Sequence, residues 1–163
     1  MKLNEGYTTL RTALSNDDFL GYLLREVARN NDKLDNLYRK AIKLGVEAGS
    51  ITQALIEADI KPLERVDTIY SFMFKYSTLG EKIRVPKTIT RIEYAAFGDT
   101  SEALETISFD GTMDDWDKIR KAADWYDESN LTYVRCTDGA YYIPGGWERD
   151  GKPRRIGKTE TID

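Results

Sequence analysis

The chain has 163 residues, of which 40% are hydrophobic and 32% are charged. This length suits one domain or two small modules, and this composition excludes a disordered chain and a membrane protein. The net charge of −4 gives no basic excess for non-specific binding to phosphate. Because the chain has no histidine and one cysteine, Cys136, it lacks the commonest general base, the commonest transition-metal ligand and any intrachain disulfide.

The beginning of the chain lacks the pattern of an export signal. Residues 1–14 contain a lysine near the start but no apolar stretch of the length that a signal peptide needs. The strongly apolar runs, such as residues 69–74, are far shorter than the ~20 residues that cross a bilayer. We therefore expect a chain that stays in a cytoplasm or is packaged from one, with no membrane partner.

Residues 1–65 are predicted to form a helical module. Apolar residues recur at helical spacing from Phe19 to Val27, directly after the capping residues 16–18. A second helix, for which Asp32 is the predicted N-cap, has an apolar stripe made of Leu34, Leu37, Tyr38, Ala41, Ile42 and Leu44.

Glycine and proline mark the end of this module. Gly45 and Gly49 are expected to weaken or end the second helix. A short third helix is predicted to begin at Ser50 and to cover residues 51–58, and Pro62 closes it or opens the next turn. Short helices with short links predict an antiparallel arrangement.

An internal repeat with a shift of 23 residues begins after residue 65. Ile69 and Phe74 are matched by Ile92 and Phe97, and each unit continues to a leucine and an alternating apolar strand. Alternation places Ile83 and Val85 on one face of the first strand, and Ile107 and Phe109 on one face of the second. The repeat predicts equivalent buried positions for the two phenylalanines, one layer apart, whereas one long helix over residues 63–79 would contradict it.

Residues 69–139 resemble a leucine-rich repeat of the BspA type. The positions that match its strands, proline, Ala-Phe step and leucine are Pro86, Ile89, Ile92, Ala96, Phe97, Leu104 and Ile107. The segment 109–119, with Gly111, Thr112, Trp116 and Ile119, is similar to the segment that closes such arrays, and residues 133–139 are similar to its final strand. The resemblance implies a short β/α array. Since two units are fewer than the ~3 that a solenoid needs, we expect the helical module to cap its open end.

Acidic and nucleophilic residues invite catalytic or metal-binding interpretations that the spacing does not favour. Asp110, Asp114, Asp115 and Asp117 lack the central glycine and closing glutamate of a calcium loop. They are better explained by a short helix that Thr112 caps, with acids in its first turn and Trp116 and Ile119 pointing inward. Cys136 has no histidine to activate it. We therefore predict no catalytic residue, metal or cofactor, and a carboxylate-based hydrolase stays as an alternative.

Basic residues raise the alternative of a nucleic-acid-binding regulator. Arg39, Lys40 and Lys43 cluster on a predicted helix, and Lys152 to Lys158 make the end of the chain locally basic. A solvated helix face explains the first cluster better, because ten acids balance ten basic residues up to Arg65. A nucleic-acid partner is therefore not the favoured one.

Aromatic residues and arginines near the C-terminus are the candidate partner-binding residues. They are enriched at interface hot spots, and this segment lies beyond the last predicted strand. The set consists of Tyr141, Tyr142, Trp147, Arg154 and Arg155. The alternative, weighed evenly, is that these side chains fold back and cover the edge of the array.

The sequence thus predicts an α+β chain with a helical module (residues 1–65), a leucine-rich-repeat-like β/α array (66–139) and an extended C-terminal tail (140–163). The predicted function is protein–protein interaction rather than catalysis. Short unexported arrays joined to a foreign helical module look like bacteriophage or mobile-element proteins. We therefore expect a phage-encoded virion structural or decorating subunit, compatible with a homo-oligomer, or a binder of a host protein such as a host-defence inhibitor.

Overall fold

The computed structural model describes residues 25–29, 33–100, 103–144 and 153–157. The protein combines helices and β-sheets, which agrees with the α+β class. Residues 25–29 are helical. The further helices are α1 (Asp35–Lys43), α2 (Ala48–Glu57), a 3-10 turn (Pro62–Glu64) and α3 (Met113–Asp117). The strands are β1 (Thr68–Ile69), β2 (Lys82–Val85), β3 (Arg91–Ile92), β4 (Thr106–Phe109), β5 (Arg120–Lys121), β6 (Tyr133–Cys136), β7 (Gly139–Tyr142) and β8 (Arg154–Gly157).

Successive strands alternate between two sheets. One sheet has the order β1-β3-β5 and the other the order β2-β4-β6-β7-β8. All pairs are parallel except β6–β7 and β7–β8, which are antiparallel. From β1 to β6 the chain therefore contributes one strand to each sheet in turn, and β7 and β8 then extend the sheet that contains β6.

The 23-residue repeat is confirmed by the strand register. Thr68 of β1 pairs with Arg91 of β3, a shift of 23 residues. Phe74 and Phe97 are both buried, and their rings stack with centroids 5.7 Å apart and planes at 3°. Because the 3-10 turn ends before residue 65 and turns follow β1, no long helix covers residues 63–79.

The apolar stripe of α1 is mostly as predicted. Leu34, Leu37, Tyr38 and Ala41 are buried, but Ile42 is 40% exposed and Leu44 is half-buried, since both lie at the rim of the packed face. Gly45 ends this region with a φ of 86°, where a side chain would be strained.

The helix boundaries correct three details of the sequence analysis. Leu34, not Asp32, is the N-cap of α1, and it makes no side-chain capping bond. Asp32 and most of the helix predicted from Phe19 lie outside the described residues. Gly49 does not end a helix: it lies inside α2, which begins at Ala48 rather than Ser50. A β-carbon there would lie 3.0 Å from Cβ of Lys75, so this glycine allows close packing of α2 on the repeats.

The helices pack against the first repeat, as expected for a cap. The ring of Tyr38 stacks on that of Tyr70 at 4.9 Å. The buried carboxylate of Asp35 accepts hydrogen bonds from the backbone N–H of Asp67, at 3.1 and 3.3 Å, and from the Tyr70 hydroxyl at 2.5 Å. These contacts join the helices and the repeats in one hydrophobic core.

The C-terminal part of the sheet differs from the prediction of a strand over residues 133–139 followed by a tail. β6 ends at Cys136, a turn reverses the chain, and β7 pairs antiparallel with β6. Together β7 and β8 add two strands to the sheet, because the exposed edge of β6 offers unpaired backbone groups that a returning chain can satisfy.

Candidate protein-binding surface

The five-stranded sheet has one face in the core and one face directed outward. Side chains alternate along a strand, and the buried residues Val85, Ile107 and Val134 belong to the inner set. We call the opposite set the outer face. The described strands place on it Lys82, Arg84, Thr106, Ser108, Tyr133, Arg135, Ala140, Tyr142, Arg154 and Ile156. Of these, Thr106 and Ala140 are buried.

The outer face is positively charged although the chain carries a net charge of −4. Its ionisable cations are Lys82, Arg84, Arg135 and Arg154, and none of the ten outer-face positions is acidic. The nearest carboxylate partner shown is Asp110, which follows β4 and receives two bonds from Nε of Arg84 at 2.9 and 3.0 Å. The outer face therefore has the opposite sign to the molecule as a whole.

Two tyrosines and an arginine form the aromatic part of the outer face. The rings of Tyr133 and Tyr142 face each other across β6 and β7 with centroids 5.6 Å apart. The guanidinium of Arg154 lies 5.0 Å from the ring centre of Tyr142, within cation–π range. Tyrosine and arginine are among the residue types enriched at interface hot spots.

The structure divides the candidate partner-binding residues between the two faces. Tyr142 and Arg154 are cross-strand neighbours on the outer face, whereas Tyr141 and Arg155 are neighbours on the opposite side, beside α3. Tyr141 is only 7% exposed, so it covers the array as the alternative interpretation proposed. Trp147 lies outside the described residues.

Tyr141 and Arg155 fasten the last strands to α3. The Tyr141 hydroxyl donates to the carboxylate of Asp117, and burial together with this bond raises the pKa of Tyr141. The guanidinium of Arg155 lies 3.7 Å from Asp114 and 3.8 Å from Asp117. These residues therefore position β7 and β8. In doing so they also position Tyr142 and Arg154, which lie on the outer face of the same strands.

The turn between β6 and β7 is fixed by α3 as well. Asp138 accepts a hydrogen bond from the backbone N–H of Met113 at 2.8 Å. A β-carbon on Gly139 would lie 2.5 Å from Sδ of Met113 and 2.9 Å from the carbonyl oxygen of Ile156. Only glycine permits α3 and β8 to approach β7 this closely.

The sequence analysis missed Lys82, Arg84 and Arg135 as candidate site residues. The signal was present, because the alternation that places Ile83 and Val85 inward places Lys82 and Arg84 outward. The relation between Arg135 and the first two residues depends on the pairing of β2, β4 and β6, which are separated by many residues along the chain.

The acidic residues near α3 have structural roles. Thr112 caps α3, and Thr112 and Asp115 form a reciprocal capping box, which confirms the predicted cap; Trp116 and Ile119 are buried as predicted. Within the described part of the chain, no group of three or more potential ligands could hold a metal ion.

Burial and hydrogen bonding set the electrostatic surroundings of Cys136, Glu47 and Arg39. Burial, assisted by nearby Asp138, raises the pKa of the Cys136 thiol to about 12, which keeps it protonated. The pKa of Glu47 is lowered by a hydrogen bond from Tyr76, opposite to the shift that a general acid needs. Arg39, from the basic cluster on α1, interacts with the Tyr70 hydroxyl and thus belongs to the helix–repeat contact.

Comparison with protein-family models, curated proteins and solved structures finds no match for this chain. Among the described residues, no helix has the length and apolar character needed to cross a membrane.

Proposed function

We propose that this protein is a non-enzymatic interaction protein whose outer face binds an acidic surface of another protein. The observation that carries the proposal is the row of cations across the outer face, with no acidic residue among them, on a chain of net charge −4. Complementary charge of this kind raises association rates and excludes partners of the same sign.

The aromatic part of the outer face supports the same proposal. Tyr142 and Arg154 are stacked, and α3 holds their strands in place through Tyr141 and Arg155. A prearranged ring and guanidinium lose little side-chain freedom on binding, which favours affinity.

The biological setting that we propose is a bacteriophage or a related mobile element. There the chain would act as a structural or decorating subunit of the virion or as a binder of a host protein. Its short array resembles the BspA type of leucine-rich repeat and is joined to an unrelated helical module. Static light scattering at low and high salt separates the two roles. A virion subunit forms a discrete large oligomer, and a host-directed binder stays a monomer or dimer.

A single-stranded nucleic acid is the second candidate partner. Cations interleaved with tyrosines on a sheet can follow a phosphate backbone while bases stack on the rings. The outer face offers both, through Tyr133, Tyr142 and the arginines beside them. Binding to oligothymidylate with a steep salt dependence would favour this candidate over a protein partner.

The proposal is tested by changing the outer face and comparing a matched variant elsewhere. The variant Tyr142→Ala/Arg154→Glu removes the ring and reverses the charge of the stacked pair. The control Tyr94→Ala/Lys43→Glu makes the same two changes at exposed positions away from the outer face. Each chain, tagged, is used to capture proteins from a lysate of the cells that produce it, and captured proteins are quantified by mass spectrometry.

We expect one acidic protein to be retained by the unmodified chain and by the control, and to fall by about tenfold or more with the outer-face variant, as loss of a hot spot requires. Equal capture by both variants would contradict the proposal. Loss with the control alone would direct attention to α1. Circular dichroism of each variant verifies that it is folded.

A further inference from the structure

We infer that the free edge of β2 is a docking site for an extended segment of another protein in which apolar and acidic residues alternate. This site is the backbone edge of the sheet and the groove beside it. It is distinct from the part of the outer face around Tyr142 and Arg154, although its charge preference rests on Lys82 and Arg84, which also belong to the outer face of the proposed function.

The backbone of β2 is paired on one side only. The N–H of Thr106 donates to the Glu81 carbonyl at 3.0 Å, and the N–H of Asp110 donates to the Val85 carbonyl at 3.1 Å. In a parallel ladder alternate residues bond the same neighbour, so the amide groups of Lys82 and Arg84 point away from β4. In the described part of the chain no acceptor receives a hydrogen bond from either of these N–H groups.

An apolar groove runs along this edge. Its volume is about 380 Å³, and it lies between the end of the helical module and β2. Ile56, one of its walls, is 43% exposed although it is a large apolar residue. Most of the lining is apolar and includes Ile56, Ile60, Leu63, Phe74 and Ile83. The charged residues Asp59, Lys61, Glu64 and Arg84 also line the groove. A strand added to β2 would direct every second side chain into this groove, beside Ile83.

The cations at this edge indicate which side chains the added strand would carry on its outward-facing side. Side chains that alternate with the apolar ones would lie on the outer face, beside Lys82 and Arg84. Opposite charges in adjacent strands stabilise a pair, and like charges destabilise it. Aspartate or glutamate at these alternate positions therefore suits the site best.

The same charges argue against a second copy of this chain as the occupant. The other end of the sheet is β8, which carries Arg154 on the outer face. Pairing β2 with β2, or β2 with β8, would set cations beside cations in a continuous sheet. The edge is thus protected from self-association while it stays open to an acidic strand.

Amide hydrogen exchange measured by NMR tests the inference with the full chain and a peptide of alternating valine and glutamate. In the free protein, we expect fast exchange at Lys82 and Arg84 and slow exchange at Ile83 and Val85. The peptide should slow exchange at Lys82 and Arg84 by about tenfold or more, because it supplies acceptors for these donors. Two control peptides should change these exchange rates little. One has lysine in place of glutamate, and the other has the same composition with all valines first.

Variants of Arg84 separate the backbone from the side chain. Arg84→Pro removes the outward N–H and is tolerated at an edge, so peptide affinity should fall by about tenfold. Arg84→Ala keeps the N–H, and its affinity should fall less. If Arg84→Pro does not fold, a peptide N-methylated on the residues that face β2 makes the same test on the unmodified protein, and it should fail to bind.

Three outcomes would overturn the inference. The first is slow exchange at Lys82 and Arg84 in the free, dilute protein, which would mean that another segment of this chain covers the edge. The second is protection that grows with protein concentration alone, which would identify a second copy as the occupant. The third is binding of the valine–glutamate peptide that Arg84→Pro and N-methylation leave unchanged.

Discussion

The two strands of the first repeat have very different edges. The edge at β1 is covered by α1, whose Asp35 carboxylate accepts the N–H of Asp67 and whose Tyr38 ring stacks on Tyr70. The edge at β2 lies beside an open groove, and the N–H groups of Lys82 and Arg84 point away from β4. The open edge is the one that carries cations, as edge strands that avoid self-association commonly do.

The largest expected loss of stability comes from a substitution in the packed contact between α1 and the first repeat. Tyr38 is fully buried, so Tyr38→Ala should lower the free energy of unfolding by about 4 kcal/mol, as cavity formation at a large aromatic site does. Ile83→Ala at the half-buried open edge should cost about 1 kcal/mol. Urea denaturation followed by circular dichroism measures both. Similar losses for the two variants would mean that the β2 edge is as well packed as the β1 edge.

Asp35→Ala tests the hydrogen bonds by which α1 covers the edge at β1. It leaves the N–H of Asp67 and the Tyr70 hydroxyl without an acceptor in a buried place, so it should cost about 3 kcal/mol. Asp35→Asn keeps an oxygen acceptor and should cost about 1 kcal/mol. Urea unfolding at neutral pH gives both values. A loss for Asn as large as that for Ala would show that the charge, not the hydrogen bonding, closes this edge.

At the opposite end of the sheet α3 packs against β7 and β8, and Gly139 tests that packing. Gly139→Ala would bring a methyl group against Met113 and the backbone of β8, and should cost about 2 kcal/mol in thermal unfolding. Gly80→Ala is the control, because a β-carbon there has no neighbour within 4 Å. Equal melting temperatures for the two variants would contradict the close approach of α3, β7 and β8.

The smallest effect is a pH dependence at α3. The backbone N–H of Thr112 donates a hydrogen bond to the carboxylate of Asp115 at 3.0 Å and, together with the neighbouring Thr112 side chain, lowers the pKa of Asp115 in the folded state. A lowered folded pKa means that this carboxylate stabilises the protein above its unfolded pKa of about 4, and that the stabilisation disappears as the pH falls through the folded value. The stability difference between the unmodified protein and Asp115→Asn should therefore shrink on acidification. A difference that stays constant down to low pH would contradict the capping role.

Much of the local structure could be predicted from the sequence because it depends on neighbours along the chain. The cap at Thr112, the end of α1 near Gly45 and the 23-residue shift between Phe74 and Phe97 all follow from spacing and residue type. The predicted end at Gly49 failed for a physical reason. A glycine that ends a helix and one that lets a helix approach a neighbour look the same in a sequence.

The candidate site was predicted only in part. Tyr142 and Arg154 were selected as aromatic and basic residues near the C-terminus, and they do meet on the outer face. Tyr141 and Arg155, their immediate neighbours, face the other way, because successive side chains of a strand point to opposite faces. The strands that decide this, β7 and β8, were predicted as a tail.

By itself the sequence determined the α+β class, the repeat and its buried phenylalanines, the capped helix and the faces of the first strands. These properties depend on the periods of helices and strands and on capping chemistry, which act over a few residues. Only the tertiary structure decided which edge is sealed and which is open, and which distant cations share the outer face. Both depend on strand pairing between residues far apart in the chain, such as Lys82 with Thr106 and Tyr142 with Arg154, which no local pattern encodes.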